Sequence, residues 1–248
     1  MKILGVIPAR FGSTRFPGKA LADLGGKPMI QHVYERCRHA SRLADVVVAT
    51  DHPAIQNAVR AFGGNVCMTS DQHPSGTDRC REVVQGWQSG CDYVINIQGD
   101  EPFIAPAQID LLAQLADGRT ELATLIKKIT SPEQLHNPNV VKAVVNRNGD
   151  ALYFSRAALP HVRAIAPDEW LQHHTYYKHI GMYAYRTDVL DAITTLPVSS
   201  LEKAESLEQL RWLQNGFVVR TMVTELETIG IDTPEDLDAA RRHLTANP

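Results

Sequence analysis

KILGVI (residues 2–7), followed at once by PARFGSTRFPGK (residues 8–19), is the stretch on which the fold turns. Lys2–Ile7 is apolar on nearly every residue, the pattern of a strand covered on both faces, and the segment behind it is broken by Pro8, Gly12, Pro17 and Gly18. Such residues turn a chain out of regular structure. In an open α/β sheet the ligand crevice lies at the carboxyl ends of the strands, so this loop is where a ligand is expected. Two common phosphate motifs fail to describe it. Gly12 and Gly18 have five residues between them and Ala20 follows Lys19, which breaks the Walker pattern, and no two glycines of the chain are spaced Gly-x-Gly.

What remains in the loop is a backbone freed by Gly12 and Gly18, the hydroxyls of Ser13 and Thr14, and the cations Arg10, Arg15 and Lys19. Open backbone N–H groups beside fixed positive charge suit a polyphosphate.

Outward from the loop, strand-length apolar runs alternate with helical patterns. Helices are predicted over 29–40, 53–62 and 78–87, and strands over 45–50, 65–68 and 93–97, so that four βα units precede residue 120. The fold class is therefore α/β, a mostly parallel sheet covered by helices. Beyond residue 120 the order changes. Strands are predicted over 122–129, 140–146, 152–154 and 183–186, with Asn148-Gly149 as a hairpin turn, and helices over 201–214 and 236–244. No linker or internal repeat divides residues 1–248, which are read as one domain, with a β-rich extension over about residues 122–186.

The chain has 248 residues, enough to bury a sizeable core without a disulfide or metal staple. Its net charge of −3 argues against nucleic acid as a partner, and no apolar run of membrane-spanning length occurs. Residues 3–7 are too short a run for a signal-peptide core, and the four cysteines form no Cys-x-x-Cys pair, so the chain is expected to work in a reducing cytoplasm. The overall charge conceals an asymmetry. Residues 1–20 carry Lys2, Arg10, Arg15 and Lys19 with no acid, whereas residues 221–240 carry six acids and no base.

Two acidic sites stand at strand-to-helix junctions. Gln98-Gly99-Asp100-Glu101 ends the strand predicted over 93–97, and Gly230-Ile231-Asp232-Thr233-Pro234 precedes the last helix. Magnesium takes one or two carboxylates together with phosphate oxygens and water, which suits Asp100 and Asp232. Spacing alone favours helix capping at the second of these sites, with Asp232 or Thr233 as N-cap and Pro234 at N1, and Glu235 and Asp236 are read as first-turn charges. In the predicted helix 201–214, Glu205, Glu208, Gln209 and Trp212 fall on one face, opposite Leu201, Ala204, Leu207 and Leu210.

PARFGSTRFPGK (8–19), ATDH (49–52), SGTDR (75–79), QGDEP (98–102), NPNVVK (137–142), ALYFSR (151–156), HIGMYAYR (179–186), LEQLR (207–211) and GIDTPEDL (230–237), in this order, resemble the 3-deoxy-manno-octulosonate cytidylyltransferases. The resemblance runs from about residue 3 to 242. It implies a three-layer Rossmann-like nucleotidyltransferase whose β extension builds a homodimer. It also implies transfer of CMP from CTP to the anomeric hydroxyl of 3-deoxy-D-manno-octulosonate (Kdo), giving CMP-Kdo and pyrophosphate with Mg²⁺, for lipopolysaccharide synthesis. Residue by residue, it puts Arg10, Arg15 and Lys19 at the triphosphate and Asp100 and Asp232 at magnesium. Ala9, Arg10, Gly12, Ser13, Lys19, Ser75, Gly76, Arg79 and Asp100 become nucleotide contacts, and Gln98, Arg156, His179, Tyr185, Glu208 and Gln209 sugar contacts. His161-Val162-Arg163 and HHTYYK (173–178) depart from the family's pattern, which leaves the 8-amino analogue of Kdo as an alternative sugar. A nucleotide-binding subunit without turnover is the alternative of another class.

Overall fold

The computed structural model describes residues 1–12 and 16–246. Strand β1 (Ile3–Ala9) leads through a short 3-10 turn at Lys19–Leu21 to the small hairpin β2 (Asp23–Leu24) and β3 (Lys27–Pro28). Then come α1 (Met29–Arg38), β4 (Asp45–Thr50), α2 (Pro53–Ala61), β5 (Val66–Met68), α3 (Gly76–Gly86), β6 (Tyr93–Asn96) and α4 (Pro106–Ala113). The second half runs β7 (Leu122–Lys128), α5 (Pro132–His136), β8 (Lys142–Val145), β9 (Ala151–Ser155), α6 (Trp170–His173) and β10 (Tyr177–Arg186). It closes with α7 (Thr187–Ile193), α8 (Ser200–Glu205), α9 (Gln209–Gln214), β11 (Val219–Val223) and α10 (Pro234–Ala246).

The main sheet has the order β11-β7-β10-β6-β1-β4-β5. β10 runs antiparallel to both β6 and β7, while the β1–β4, β1–β6, β4–β5 and β7–β11 pairs are parallel. The predicted mostly parallel α/β sheet is therefore present, with one reversed strand in its middle. Alternation along β1 explains why that strand is apolar throughout. Ile3, Ile7 and Ala9 pack under α1, α2 and α4, whereas Leu4 and Val6 pack under α3, α7 and α9. Both faces are covered, and the molecule is a three-layer sandwich.

The strand order reverses between β1 and β6, so their carboxyl ends part around a crevice. Close approach there depends on Gly99: a Cβ at this position would lie 2.8 Å from the Pro8 carbonyl oxygen. The predicted Asn148-Gly149 turn joins β8 to β9, with Gly149 in the left-handed region at φ 82°. The Thr221 N–H donates to the Gly149 carbonyl at 2.7 Å, which seats the hairpin tip on β11. The base of the hairpin pairs β8 with the start of β10.

Two differences from the predicted elements have physical reasons. β10 begins at Tyr177, not at residue 183, because its register against β7 slips between Ile180 and Tyr183 and hides the period of two. Thr124 Oγ1 mends that irregularity by donating to the carbonyls of Ile180 and Met182 at 3.1 and 2.8 Å. The helix predicted over 201–214 is two helices, broken at Ser206, which takes the left-handed conformation at φ 53°. The single polar face predicted there does not exist, and Gln209 and Trp212 are buried. The sequence reading also left out β2, β3, α4, α5, α6, α7 and β11.

Gly99→Ala is expected to force the β6 end off the β1 end and to cost about 1–3 kcal/mol, the scale of overpacking a close contact. Urea unfolding of the variant measures it, and wild-type stability would show that the approach of Gly99 to Pro8 is not tight.

Candidate active site

Pro8, Ala9 and Arg10 leave the carboxyl end of β1, and Gln98, Gly99 and Asp100 leave that of β6; together they line a cleft of about 320 Å³. Lys19 and Ala20, the His73–Gly76 turn with Arg79, and Asp232 complete its walls. The Gly18 N–H donates to the Phe11 carbonyl at 2.9 Å and ties these two residues of the loop together. Phe11 stacks on His52 with ring centroids 4.0 Å apart, which fixes the loop against the start of α2. Lys19 then opens the 3-10 turn and faces inward.

Its ammonium is the hub of the site. Lys19 Nζ lies 2.5 Å from Asp100 Oδ2 and 3.2 Å from Asp232 Oδ1, and it donates to the Ile231 carbonyl at 3.2 Å. The Ile231 N–H in turn donates to the Asp100 carbonyl at 2.9 Å and locks the two acidic loops together. Helix capping does not use up Asp232. The Thr233 hydroxyl accepts from the Asp236 N–H at 3.2 Å, and the Asp236 carboxylate accepts from the N–H groups of Thr233 and Asp232 at 2.9 and 3.0 Å. That reciprocal pair caps α10 and leaves the Asp232 carboxylate on Lys19. The neighbouring Glu101 is half-buried, and burial with the Asp100 charge pushes it up to about 7.

Asp100 and Asp232 are thus 132 positions apart in sequence and converge on one cation. No group of three or more metal-ligating side chains occurs among the described residues. A two-carboxylate donor set is what Mg²⁺ uses when phosphate oxygens and water supply the rest of its shell, so these residues fit that ion.

Arg79 is buried and committed. Its guanidinium donates to Asp51, to Thr69 Oγ1 at 2.8 Å and to the Ser70 carbonyl at 3.1 Å. Ser75 caps α3, accepting from the Asp78 N–H at 3.2 Å and donating to Asp78 and Glu208 at 2.6 and 3.2 Å. Thr77 donates to the other oxygen of Glu208 at 2.9 Å. Burial pushes the Glu208 carboxyl up, against these bonds and the nearby Arg211.

A ladder of aromatic rings is built around β10. Phe154 meets His179 edge-on at 5.2 Å, His179 meets Tyr183 at 5.1 Å, and Trp212 stands edge-on to Tyr183 and Tyr185 at 5.0 and 5.7 Å. His179 bonds to Thr124 Oγ1 at 3.0 Å, and burial pushes its imidazole down to about 3, so the ring is neutral. Gln98 reaches the same strand, donating to the Gly181 carbonyl at 2.6 Å.

The structure brings Ala9, Arg10, Lys19, Ser75, Gly76, Arg79, Gln98, Asp100 and Asp232 into one cleft. Gly12 is exposed and lies off that lining. Ser13 and Arg15 lie outside the described residues. Among the residues assigned to the sugar, His179, Tyr185 and Glu208 gather around Thr77 and the ladder, and Gln209 is buried at the start of α9. Arg156 is held by the carbonyls of Glu205 and Pro138 at 2.7 and 3.1 Å. The Tyr185 hydroxyl is already engaged, 3.3 Å from Thr77 Oγ1. Sequence reasoning passed over Tyr183 and read Trp212 as part of an exposed face. Tyr183 OH and Trp212 Nε1 are buried and have no hydrogen-bond partner among the described residues. A buried polar group without a partner costs about 1–3 kcal/mol, so these two atoms are sites of uncompensated desolvation in the interior. The available signal was position: Tyr183 is four residues after His179 on the strand that carries it.

A model of the cytidylyltransferase family matches residues 4–229. A 3-deoxy-manno-octulosonate cytidylyltransferase of Parabacteroides distasonis is 57% identical over 249 residues, covering 98% of either chain. This chain belongs to the 3-deoxy-manno-octulosonate cytidylyltransferase family. A second family member, from Geobacter metallireducens, is 50% identical over 99% of this chain and 98% of its own. A solved structure of CMP:2-keto-3-deoxy-manno-octonic acid synthetase complexed with CTP superposes with a TM-score of 0.93 at 45% identity, covering both chains completely. A nucleotidyl transferase from Methanothermobacter, 14% identical with a TM-score of 0.64, shares the fold.

The neutral His179 makes stability in this cytidylyltransferase depend on pH in a defined direction. An unfolded histidine takes up a proton below about pH 6.5, whereas the folded one does so only near 3. The contribution is complete above pH 6.5 and is lost as the pH falls toward 3, by about 1.4 kcal/mol per unit. Urea unfolding at pH 7.5 and 5.5 should therefore show wild type losing about 1.4 kcal/mol more than His179→Asn. Equal losses would mean that the imidazole is not held neutral.

Proposed function

We propose that the chain transfers CMP from CTP to the anomeric hydroxyl of Kdo, releasing pyrophosphate, in the cytoplasm, as a magnesium-dependent homodimer that serves lipopolysaccharide synthesis. The observation that carries the reading is the convergence of Asp100 and Asp232 on one cation at the mouth of the switch-point cleft. Family membership and the full-length likeness to a synthetase solved with CTP support the same nucleotide and sugar.

In the reaction the anomeric oxygen of Kdo forms a bond to the α-phosphorus of CTP while the bond from that phosphorus to the bridging oxygen breaks. Pyrophosphate takes the electron pair, and the hydroxyl proton leaves to solvent or buffer. Charge develops on phosphate oxygens, so the protein acts chiefly by position and by fixed charge. Arg10 and Lys19 bring positive charge to the triphosphate. Asp100 and Asp232 would hold Mg²⁺, which when bound neutralises phosphate charge and acidifies a coordinated hydroxyl. Lys19 then exchanges its carboxylate partners for phosphate oxygens. His179, Tyr183, Trp212 and Gln98 present neutral hydrogen-bonding groups to the sugar, which orients its hydroxyl without adding charge beside the acid. The β8–β9 hairpin is the proposed dimer contact.

Pyrophosphate release from CTP and Mg²⁺ with Kdo, its 8-amino analogue or sialic acid tests the reading. Release with Kdo is expected; release with sialic acid alone, or with no sugar, would contradict it. Asp100→Asn and Asp232→Asn should each lower turnover by at least about 10²-fold, the scale of one lost transition-state contact. A wild-type rate in Asp232→Asn would confine that residue to the end of α10.

A further inference from the structure

Asp232 reaches the cleft from a connection that apolar packing does not hold. Residues 224–231 leave β11 at Thr224, whose N–H donates to the Ile126 carbonyl at 2.8 Å, and regain the core only at buried Ile231. None of the six residues between them is buried, and Leu226 and Ile229 face solvent. Polar contacts set the path instead. The buried Gln108 amide donates to the Leu226 carbonyl at 3.2 Å, Lys127 Nζ donates to the Glu225 carbonyl at 3.0 Å, and the Thr228 side chain bonds to Glu101.

The ion pairs of this connection belong to Glu227. One of its carboxylate oxygens accepts from Lys178 Nζ and the other lies 2.8 Å from Lys127 Nζ. Lys127 and Lys178 stand directly opposite each other on β7 and β10, a placement in which like charges repel. Both lysine side chains are largely buried, whereas the carboxylate that bridges them is half-exposed. Burial acts against ionisation of Glu227, but the two ammoniums hold it below the usual carboxylate range. Two antiparallel pairings through β10 give β7 the direction of β6, so this clasp closes on the edge of the sheet that carries the cleft. It lies five positions before Asp232. We propose that Glu227 is a positioning residue for the reaction: its clasp on Lys127 and Lys178 fixes the connection that presents Asp232, and so sets how tightly that carboxylate holds the divalent ion. Mg²⁺ tolerates little departure from octahedral geometry, so a ligand on a wandering connection binds it weakly. This rests on the reading of Asp232 as a magnesium ligand, and it adds a residue that does not line the cleft.

Two titrations of the full chain test the inference: Mn²⁺ binding with CTP present, followed by electron paramagnetic resonance, and the Mg²⁺ dependence of pyrophosphate release from CTP and Kdo. Glu227→Gln keeps the size of the side chain and removes its charge. It should weaken Mn²⁺ about threefold to fivefold, the scale of a partly exposed ion pair. The Mg²⁺ concentration for half-maximal rate should rise by the same factor, while kcat at saturating Mg²⁺ stays that of wild type. Lost stability alone would instead lower kcat and leave the half-saturating Mg²⁺ where it was. Glu227→Asp keeps the charge and should recover part of the Mn²⁺ affinity. Lys178→Met should weaken Mn²⁺ in the wild-type background and add nothing in Glu227→Gln, where the ammonium has no carboxylate to hold. Unchanged Mn²⁺ affinity in Glu227→Gln, a lower kcat with unmoved half-saturation, or an equal loss from Lys178→Met in both backgrounds overturns the inference alone. Asp232→Asn is the control: wild-type Mn²⁺ affinity there overturns the metal reading, and this inference with it.

Discussion

A single ammonium group between two carboxylates organises this molecule. Lys19 belongs to the loop behind β1, Asp100 to the end of β6 and Asp232 to the start of α10, and no local structure joins them. Two like charges brought together at a half-exposed site repel unless a cation stands between them. The contact therefore closes the first loop, the middle loop and the last helix around one point. Under the proposed function it is also the place where a divalent ion with a triphosphate would replace the lysine. Without that cation the two carboxylates would repel, against the Ile231–Asp100 backbone bond that holds the acidic loops together.

The sheet makes this meeting possible. Reversal of strand order between β1 and β6 opens the crevice, and Gly99 lets the second loop pass against the Pro8 carbonyl. On the other side of β6, antiparallel β10 carries His179, Tyr183 and Tyr185 into a packed ladder. That ladder is stable as hydrophobic packing yet retains unpartnered polar tips at Tyr183 and Trp212. Under the proposed function, packing and sugar binding would act through the same side chains of a rigid core element.

The βα half was legible because period, punctuation and strand length agree there: β4 spans the predicted 45–50, and α2 differs from its prediction by one terminal residue. The cleft was legible in part. Arg10, Lys19 and Asp100 follow strands in an α/β order, a positional rule that needs no coordinates. Asp232 was ambiguous from spacing, since an acid before Thr-Pro is more readily a cap; only the Thr233–Asp236 pair shows that the capping task lies elsewhere. The 201–214 segment misled because its periodicity continues across Ser206, where a left-handed residue turns the second helix and buries Trp212. Tyr183 could not be told from Tyr185 by pattern, because what separates them is which hydroxyl already has a partner.

The central claim, that Asp100 and Asp232 form one cation site which exchanges Lys19 for a divalent ion when the nucleotide arrives, is tested most directly by Mn²⁺ binding followed by electron paramagnetic resonance. The titration compares wild type, Asp100→Asn and Asp232→Asn with CTP present. The account predicts that each variant weakens Mn²⁺ at least about tenfold, the scale of one lost charged ligand. Equal Mn²⁺ affinity in wild type and in Asp232→Asn would contradict it.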